Sequence, residues 1–127
     1  MPNLNRVQII GRLGKDPESR TTKNGTEYAV FSVATNHYWK NRDGKRQEET
    51  NWFYVQAWGK LGEICKKYLK KGSLVYLEGR LRTESYEYEG ETRYFTKVIA
   101  RRMQMLDKPE KKVEEEVVEV EDAEADE

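Results

Sequence analysis

Residues 50–82 read TNWFYVQAWGKLGEICKKYLKKGSLVYLEGRLR, and this stretch decides the fold. Its first part alternates: Phe53, Val55 and Ala57 point one way, and Trp52, Tyr54, Gln56 and Trp58 the other. A side-chain period of two marks a strand. At Lys60 the period changes. Leu61, Ile64, Cys65, Tyr68 and Leu69 recur at helical spacing, which predicts one apolar stripe of a helix over Lys60–Lys71. Lys60, Lys66, Lys67, Lys70 and Lys71 lie off the stripe, most of them near the helix C-terminus, where cations suit the dipole. Gly72 stands where a glycine would end the helix. From Ser73 the alternation resumes, with Val75, Leu77, Gly79 and Leu81 on the apolar parity.

Further strands flank this strand–helix–strand unit. Upstream, Asn5–Leu13 carries Val7, Ile9, Gly11 and Leu13 at period two. Gly14-Lys15-Asp16-Pro17 and Asn24-Gly25 are turn signals. Glu27–Trp39 is a second β-rich run with Ala29, Phe31 and Val33 on one face, and KNRDGKRQ at 40–47 is a basic loop. Downstream, the fourth strand runs to about Tyr88, Glu89-Gly90 marks a hairpin, and Arg93–Leu106 is the fifth strand. The order predicts an all-β chain: a five-stranded OB-fold, a Greek-key barrel with one helix between strands three and four. The apolar stripe of the helix would plug one end.

The chain has 127 residues, enough for one domain. No apolar run approaches the roughly 18 residues of a membrane span, and MPNLNRVQII lacks the pattern of a secretion signal. The single cysteine, Cys65, cannot make an internal disulfide, so a cytoplasmic protein is expected. One Cys and one His make no usual zinc site, and no cofactor is expected. His37 has no evident catalytic partner, and Gly11-Arg12-Leu13-Gly14 is not followed by the Lys-Ser/Thr of a phosphate loop. An enzyme is not expected.

The formal net charge of zero hides an asymmetry. Residues 1–106 carry 20 Lys+Arg against 12 Asp+Glu, +8, whereas residues 107–127 carry 3 Lys against 11 acids, −8. All fourteen aromatic residues lie between Tyr28 and Phe95. Residues 1–107 are therefore read as the domain and residues 108–127 as a disordered acidic tail, too poor in apolar surface to offset the entropy of ordering. A basic body implies an anionic partner, and the tail could compete with that partner for the basic groove.

The non-core parity suggests which anion. Trp52, Tyr54 and Trp58 share it on the third strand, Arg80, Arg82, Tyr86 and Tyr88 on the fourth, and Arg6 and Arg12 on the first. Trp39 has the parity of Phe31 and Val33 and needs a bend after Thr35 to join them. Exposed rings cost free energy unless covered. Nucleic-acid bases stack on such rings at roughly 1–3 kcal/mol each, and Lys/Arg neutralise phosphates. The expected site therefore stacks bases of a single strand on Trp39, Trp52, Tyr54, Trp58, Tyr86 and Tyr88. Its phosphate contacts would be Arg6, Arg12, Lys60, Lys71, Arg80 and Arg82. Tyr28, Tyr68 and Tyr76 read as structural. The competing reading buries the rings in the core or between subunits, as a scaffold for protein contacts; a third prefers RNA.

The sequence resembles the bacterial single-stranded DNA-binding proteins from about Asn5 to Leu106. The resemblance rests on NRVQIIGRLGKDPE, Asn24-Gly25, VATNHYW, ETNWFYVQAWGKL, YLKKGSLVYLEGRLRT, RYFTKVIA and MQML, in order and closely spaced. It implies a homotetramer of OB-folds that wraps single-stranded DNA without strict sequence preference, in replication, repair and recombination at the nucleoid. The family's stacking aromatics fall on Trp39, Trp52, Trp58 and Tyr86, the last where many members carry Trp. Glu84 stands where the family is often more basic. The family's acidic tail usually follows a Gly/Gln/Pro-rich linker and ends in a Pro-Phe tip that docks replication and repair proteins. Here the linker is nearly absent and the given sequence ends Glu124-Ala125-Asp126-Glu127. Truncation, divergence or another docking mode would each account for that.

Overall fold

The alternating runs form strands and the helical stripe forms a helix. A computed structural model describes residues 2–107 and 117–119. The elements are β1 (Val7–Leu13), β2 (Glu18–Thr21), β3 (Glu27–Lys40), β4 (Arg46–Trp58), α1 (Gly59–Tyr68), β5 (Leu74–Tyr88), β6 (Glu91–Met105) and β7 (Val117–Glu119). The strand order β1-β5-β6-β4-β3 closes on itself through a short β1–β3 pairing, Arg12 opposite Ala34 and Leu13 opposite Val33. This is the expected five-stranded barrel. Closure needs β1 and β3 to approach closely, and Gly11 permits it: a Cβ there would lie 2.2 Å from the Ala34 carbonyl oxygen.

The inward parity fills the barrel. Val33, Val55, Ala57, Val75 and Leu77 are fully buried, and α1 adds Leu61 and Cys65 from its stripe. Burying a side chain such as Leu61 contributes roughly 1.5–3 kcal/mol. Burial pushes the Cys65 thiol up to about 12. Among the described residues no helix is long and apolar enough to cross a membrane.

Four features depart from the sequence reading. A short, fully exposed strand, β2, hangs on β3 outside the barrel, where turns alone were expected. The helix stops at Tyr68 rather than Lys71: the Leu69 N–H bonds the Cys65 carbonyl, and Leu69 is already extended. Gly72, at φ +90°, serves the following turn instead of ending the helix; Ser73 closes that turn with its N–H to the Lys70 carbonyl and its Oγ accepting from the Lys70 N–H. In β6 the register against β5 slips between Glu78–Arg102 and Gly79–Ala100, so Arg101 is an inserted residue. The bulge switches the core-facing set of β6 from Val98 and Ala100 to Met103. Finally, Val117–Glu119 pairs antiparallel with β6, so three residues of the segment expected to be disordered are a strand. The rest of that expectation, at residues 108–116 and 120–127, falls outside the described residues.

Candidate nucleic-acid interface

Two hairpins outrun the barrel. The β3–β4 ladder runs without a register break from Tyr28–Trp58 to Lys40–Arg46, and the β5–β6 ladder reaches Tyr88–Glu91. Residues near the ends of both are exposed, so each hairpin projects as an arm.

Trp52 stands at the base of the β3–β4 arm, 59% exposed. Cross-strand pairing sets Arg12, Ala34 and Trp52 abreast on β1, β3 and β4. The indole lies against Gly14: a Cβ at that residue would be 2.6 Å from its Cζ3. Gly14 itself is fixed by its N–H to the Ser32 carbonyl, 3.0 Å. Lys71 comes to the same place, because its N–H bonds Asp16 Oδ1 at 2.8 Å and the Gly72 N–H bonds the Leu13 carbonyl. Arg12 donates to the Gly72 carbonyl at 2.8 Å and pairs with Asp107 at 3.5 Å. The open indole thus has Arg12 abreast of it across β3 and rests on the Gly14 loop to which the Lys71 backbone is tied.

The outward face of β4 continues onto β6 and β5. Tyr54, half-buried, meets Phe95 edge-on at 5.1 Å and 70°. Beyond Phe95 the paired positions Glu84–Phe95, Tyr86–Arg93 and Tyr88–Glu91 carry the same face out along the arm. Tyr86 and Tyr88 are exposed, and the Arg93 guanidinium lies 5.1 Å from the Tyr88 ring centroid. Arg82 and Lys97 sit at the root of this arm, and both are engaged by Glu84, at 3.5 Å and 3.0 Å.

The remaining expected residues lie elsewhere. Trp58 is on the outward face of β4 as expected, yet only 5% exposed. It stacks on Tyr28 (4.1 Å, 17°), packs on Ile99 and donates from Nε1 to Gln56 Oε1 at 3.2 Å. Lys60 is exposed near this covered end of β4. Trp39 is 43% exposed but, with no register break after Thr35, the expected bend takes no such form; the ladder sets it opposite Gln47, on the other side of the ribbon from Trp52. His37 stacks over it at 5.4 Å. Arg6 is committed to Glu78, donating from Nε at 2.8 Å and also from Nη2. Glu78 is almost fully buried and also accepts from Arg101 at 2.7 Å and Tyr76 at 3.0 Å. The bond from Arg6 holds the Glu78 carboxyl below its ordinary range and the guanidinium above its own. Arg80, half-buried, follows on β5.

Four exposed rings were not among the expected residues: Tyr38, Tyr94, Phe95 and Tyr68, the last read from the sequence as structural. Tyr38 carries the Arg46 guanidinium 4.5 Å from its centroid. The signal for Phe95 was available, since it shares the parity of Arg93 and Lys97; the hairpin register that puts it opposite Glu84 was needed to use it.

A closed barrel of five strands with one end-capping helix and open aromatics beside cations defines an OB-fold of the nucleic-acid-binding kind. The sequence matches the single-strand binding protein family over residues 4–106, and the chain belongs to that family. It is 47% identical over 105 residues to single-stranded DNA-binding protein 1 of Chlorobaculum tepidum, covering 81% of this chain and 65% of that one. It is 46% identical over 110 residues to single-stranded DNA-binding protein 1 of Xylella fastidiosa, covering 85% and 81%. The structure resembles a Plasmodium falciparum SSB solved in complex with single-stranded DNA, with a TM-score of 0.77 and 28% identity over 84% of this chain and 98% of that one.

Proposed function

We propose that this chain binds single-stranded DNA without strict sequence preference, serving replication, repair and recombination as a homotetramer. The observation that carries the reading is Trp52: a large open ring with Arg12 abreast of it across β3 and Lys71 tied to the loop beneath it. Stacking on such a ring requires an unpaired base, which favours a single strand over a duplex. From Trp52 the strand has a continuous path over Tyr54 and Phe95 to Tyr86 and Tyr88. To reach Trp39 as well it must pass around the β3–β4 ribbon, a wrapped rather than a straight path. Lys71 is placed to neutralise a phosphate along it, whereas Arg12, Arg93, Arg82 and Lys97 must first exchange Asp107, Glu91 and Glu84 for phosphate.

The test is a tryptophan-fluorescence titration with oligo(dT), oligo(U) and a duplex of equal length. Deep quenching by oligo(dT), weaker response to oligo(U) and little to duplex is the expected result. Equal response to oligo(U) would make RNA the ligand, and no response to any would favour a scaffold whose rings meet protein. Light scattering on the eluted protein checks the tetramer. Ile10, 58% exposed on the outer face of β1, is the sort of residue that such an assembly would cover.

A further inference from the structure

Tyr38 and Trp39 are neighbours on β3 and therefore stand on opposite faces of the β3–β4 arm. Cross-strand pairing sorts the arm into those two faces. One carries Ala34–Trp52, Asn36–Thr50, Tyr38–Glu48 and Lys40–Arg46. The other carries Thr35–Asn51, His37–Glu49 and Trp39–Gln47. The first face continues the Trp52 platform outward and holds Lys40 and Arg46 against one acid. The second holds one acid and no Lys or Arg.

Tyr38 lies four residues along β3 from Ala34, about 13 Å beyond Trp52. Between the two rings Thr50 Oγ1 donates to Asn36 Oδ1 at 2.8 Å, so the floor is built of small polar side chains. The Tyr38 ring is 46% exposed, and the Arg46 guanidinium lies 4.5 Å from its centroid. The two are diagonal neighbours on one face, within reach across an antiparallel pair. The tip of the arm holds that register. The Asn41 N–H bonds the Lys45 carbonyl at 2.9 Å, and Asn41 Oδ1 accepts from the N–H groups of Asp43 and Lys45.

Arg12, Arg82, Arg93 and Lys97 are each engaged by a carboxylate. Among the described residues Lys40 and Arg46 are not. An open ring beside such a guanidinium offers one nucleotide both a stacking surface and a phosphate partner. Trp39, by contrast, already carries His37 on its ring.

We infer that Tyr38 is a further base-stacking residue and that Arg46 neutralises the phosphate of the nucleotide stacked there. The single strand then leaves Trp52 in two directions: across Tyr54 to the β5–β6 arm, and outward to Tyr38 without rounding the ribbon. The inference rests on the reading of Trp52 as a platform for single-stranded DNA.

The test is an oligo(dT) titration of Tyr38→Ala, Tyr38→Phe and Arg46→Gln in the full-length chain, beside the wild type and Trp52→Ala. The Tyr38 and Arg46 variants keep all three tryptophans, so the fluorescence signal survives. Tyr38→Ala should weaken binding about tenfold, with a urea midpoint equal to wild type, because the ring is exposed. Tyr38→Phe should bind as wild type does. Arg46→Gln should flatten the dependence of log affinity on log salt by about 0.7. Wild-type affinity in Tyr38→Ala, with a loss in Trp52→Ala, would overturn this inference and leave the Trp52 reading standing. Equal losses in Tyr38→Ala and Tyr38→Phe would overturn stacking in favour of a hydroxyl contact. An unchanged salt slope would overturn the phosphate contact of Arg46. No binding of oligo(dT) by the wild type would overturn both readings together.

Discussion

Trp52 and Trp58 stand on the same outward face of one strand, six residues apart, and have opposite fates. At the Trp58 end, β4 is flanked by β3 and β6. Tyr28 covers one face of the indole, Ile99 packs on it and Gln56 takes its N–H. At the Trp52 end the opposing β3 residue is Ala34 and the neighbour beneath is Gly14, so the ring stays open. A ring surrounded by large neighbours becomes part of the packing, and a ring surrounded by small ones becomes a platform. The difference lies in the neighbours.

The largest effect expected from that contrast is on stability. Trp58→Ala should cost roughly 3–5 kcal/mol, as removal of a buried aromatic does, and urea unfolding would measure it. DNA affinity of the folded fraction should change far less. Trp52→Ala should do the reverse, weakening oligo(dT) binding by about 1–3 kcal/mol with an unfolding midpoint close to wild type. If Trp58→Ala alone abolished binding in a protein that still folds, the division between the two rings would fail.

A finer test leaves both rings in place. Gly14→Ala adds one methyl where Trp52 Cζ3 already lies, so the indole must shift. Affinity should fall by roughly 1 kcal/mol, less than for loss of the ring, and the emission of Trp52 should move. Normal binding by this variant would mean the ring's seat on Gly14 is irrelevant.

The β5–β6 arm is more acidic than the β3–β4 arm. Residues 82–97 carry three cations and four acids, net −1, whereas residues 35–51 carry four cations and three acids, net +1. Glu84 accounts for much of the contrast because it occupies Arg82 and Lys97 together. Glu84→Gln should tighten binding a few-fold at low salt and steepen the salt dependence by about 0.7 for each cation that reaches a phosphate. An unchanged slope would place both cations off the path.

The smallest effect concerns Glu78, away from the rings. Its folded carboxyl titrates below its unfolded value because Arg6 and Tyr76 bond the charged form. The stabilisation is therefore present above the unfolded value and is lost as pH falls through the folded one. Arg6→Ala should raise that folded value and move the acid-unfolding midpoint to higher pH. Arg101 and Tyr76 remain to limit the shift. DNA affinity near neutral pH should hold if Arg6 serves Glu78 rather than phosphate.

The amino-acid sequence by itself determined the succession of the five barrel strands along the chain, the single helix after β4 and the parity of β1, β4 and β5, because periods of 2 and 3.6 are local properties of neighbouring residues. It also set Trp52, Tyr54, Tyr86 and Tyr88 on the face away from the core. Only the tertiary structure decided which rings remain open. Tyr28, Ile99, Ala34 and Gly14 come from distant segments, and no local pattern says which of them meets which indole. The same holds for Glu78, turned from a surface acid into a buried one by arginines of β6 and of the residue before β1. The bulge at Arg101 and the strand at Val117–Glu119 depend on register against β5 and β6, which is set when the barrel closes.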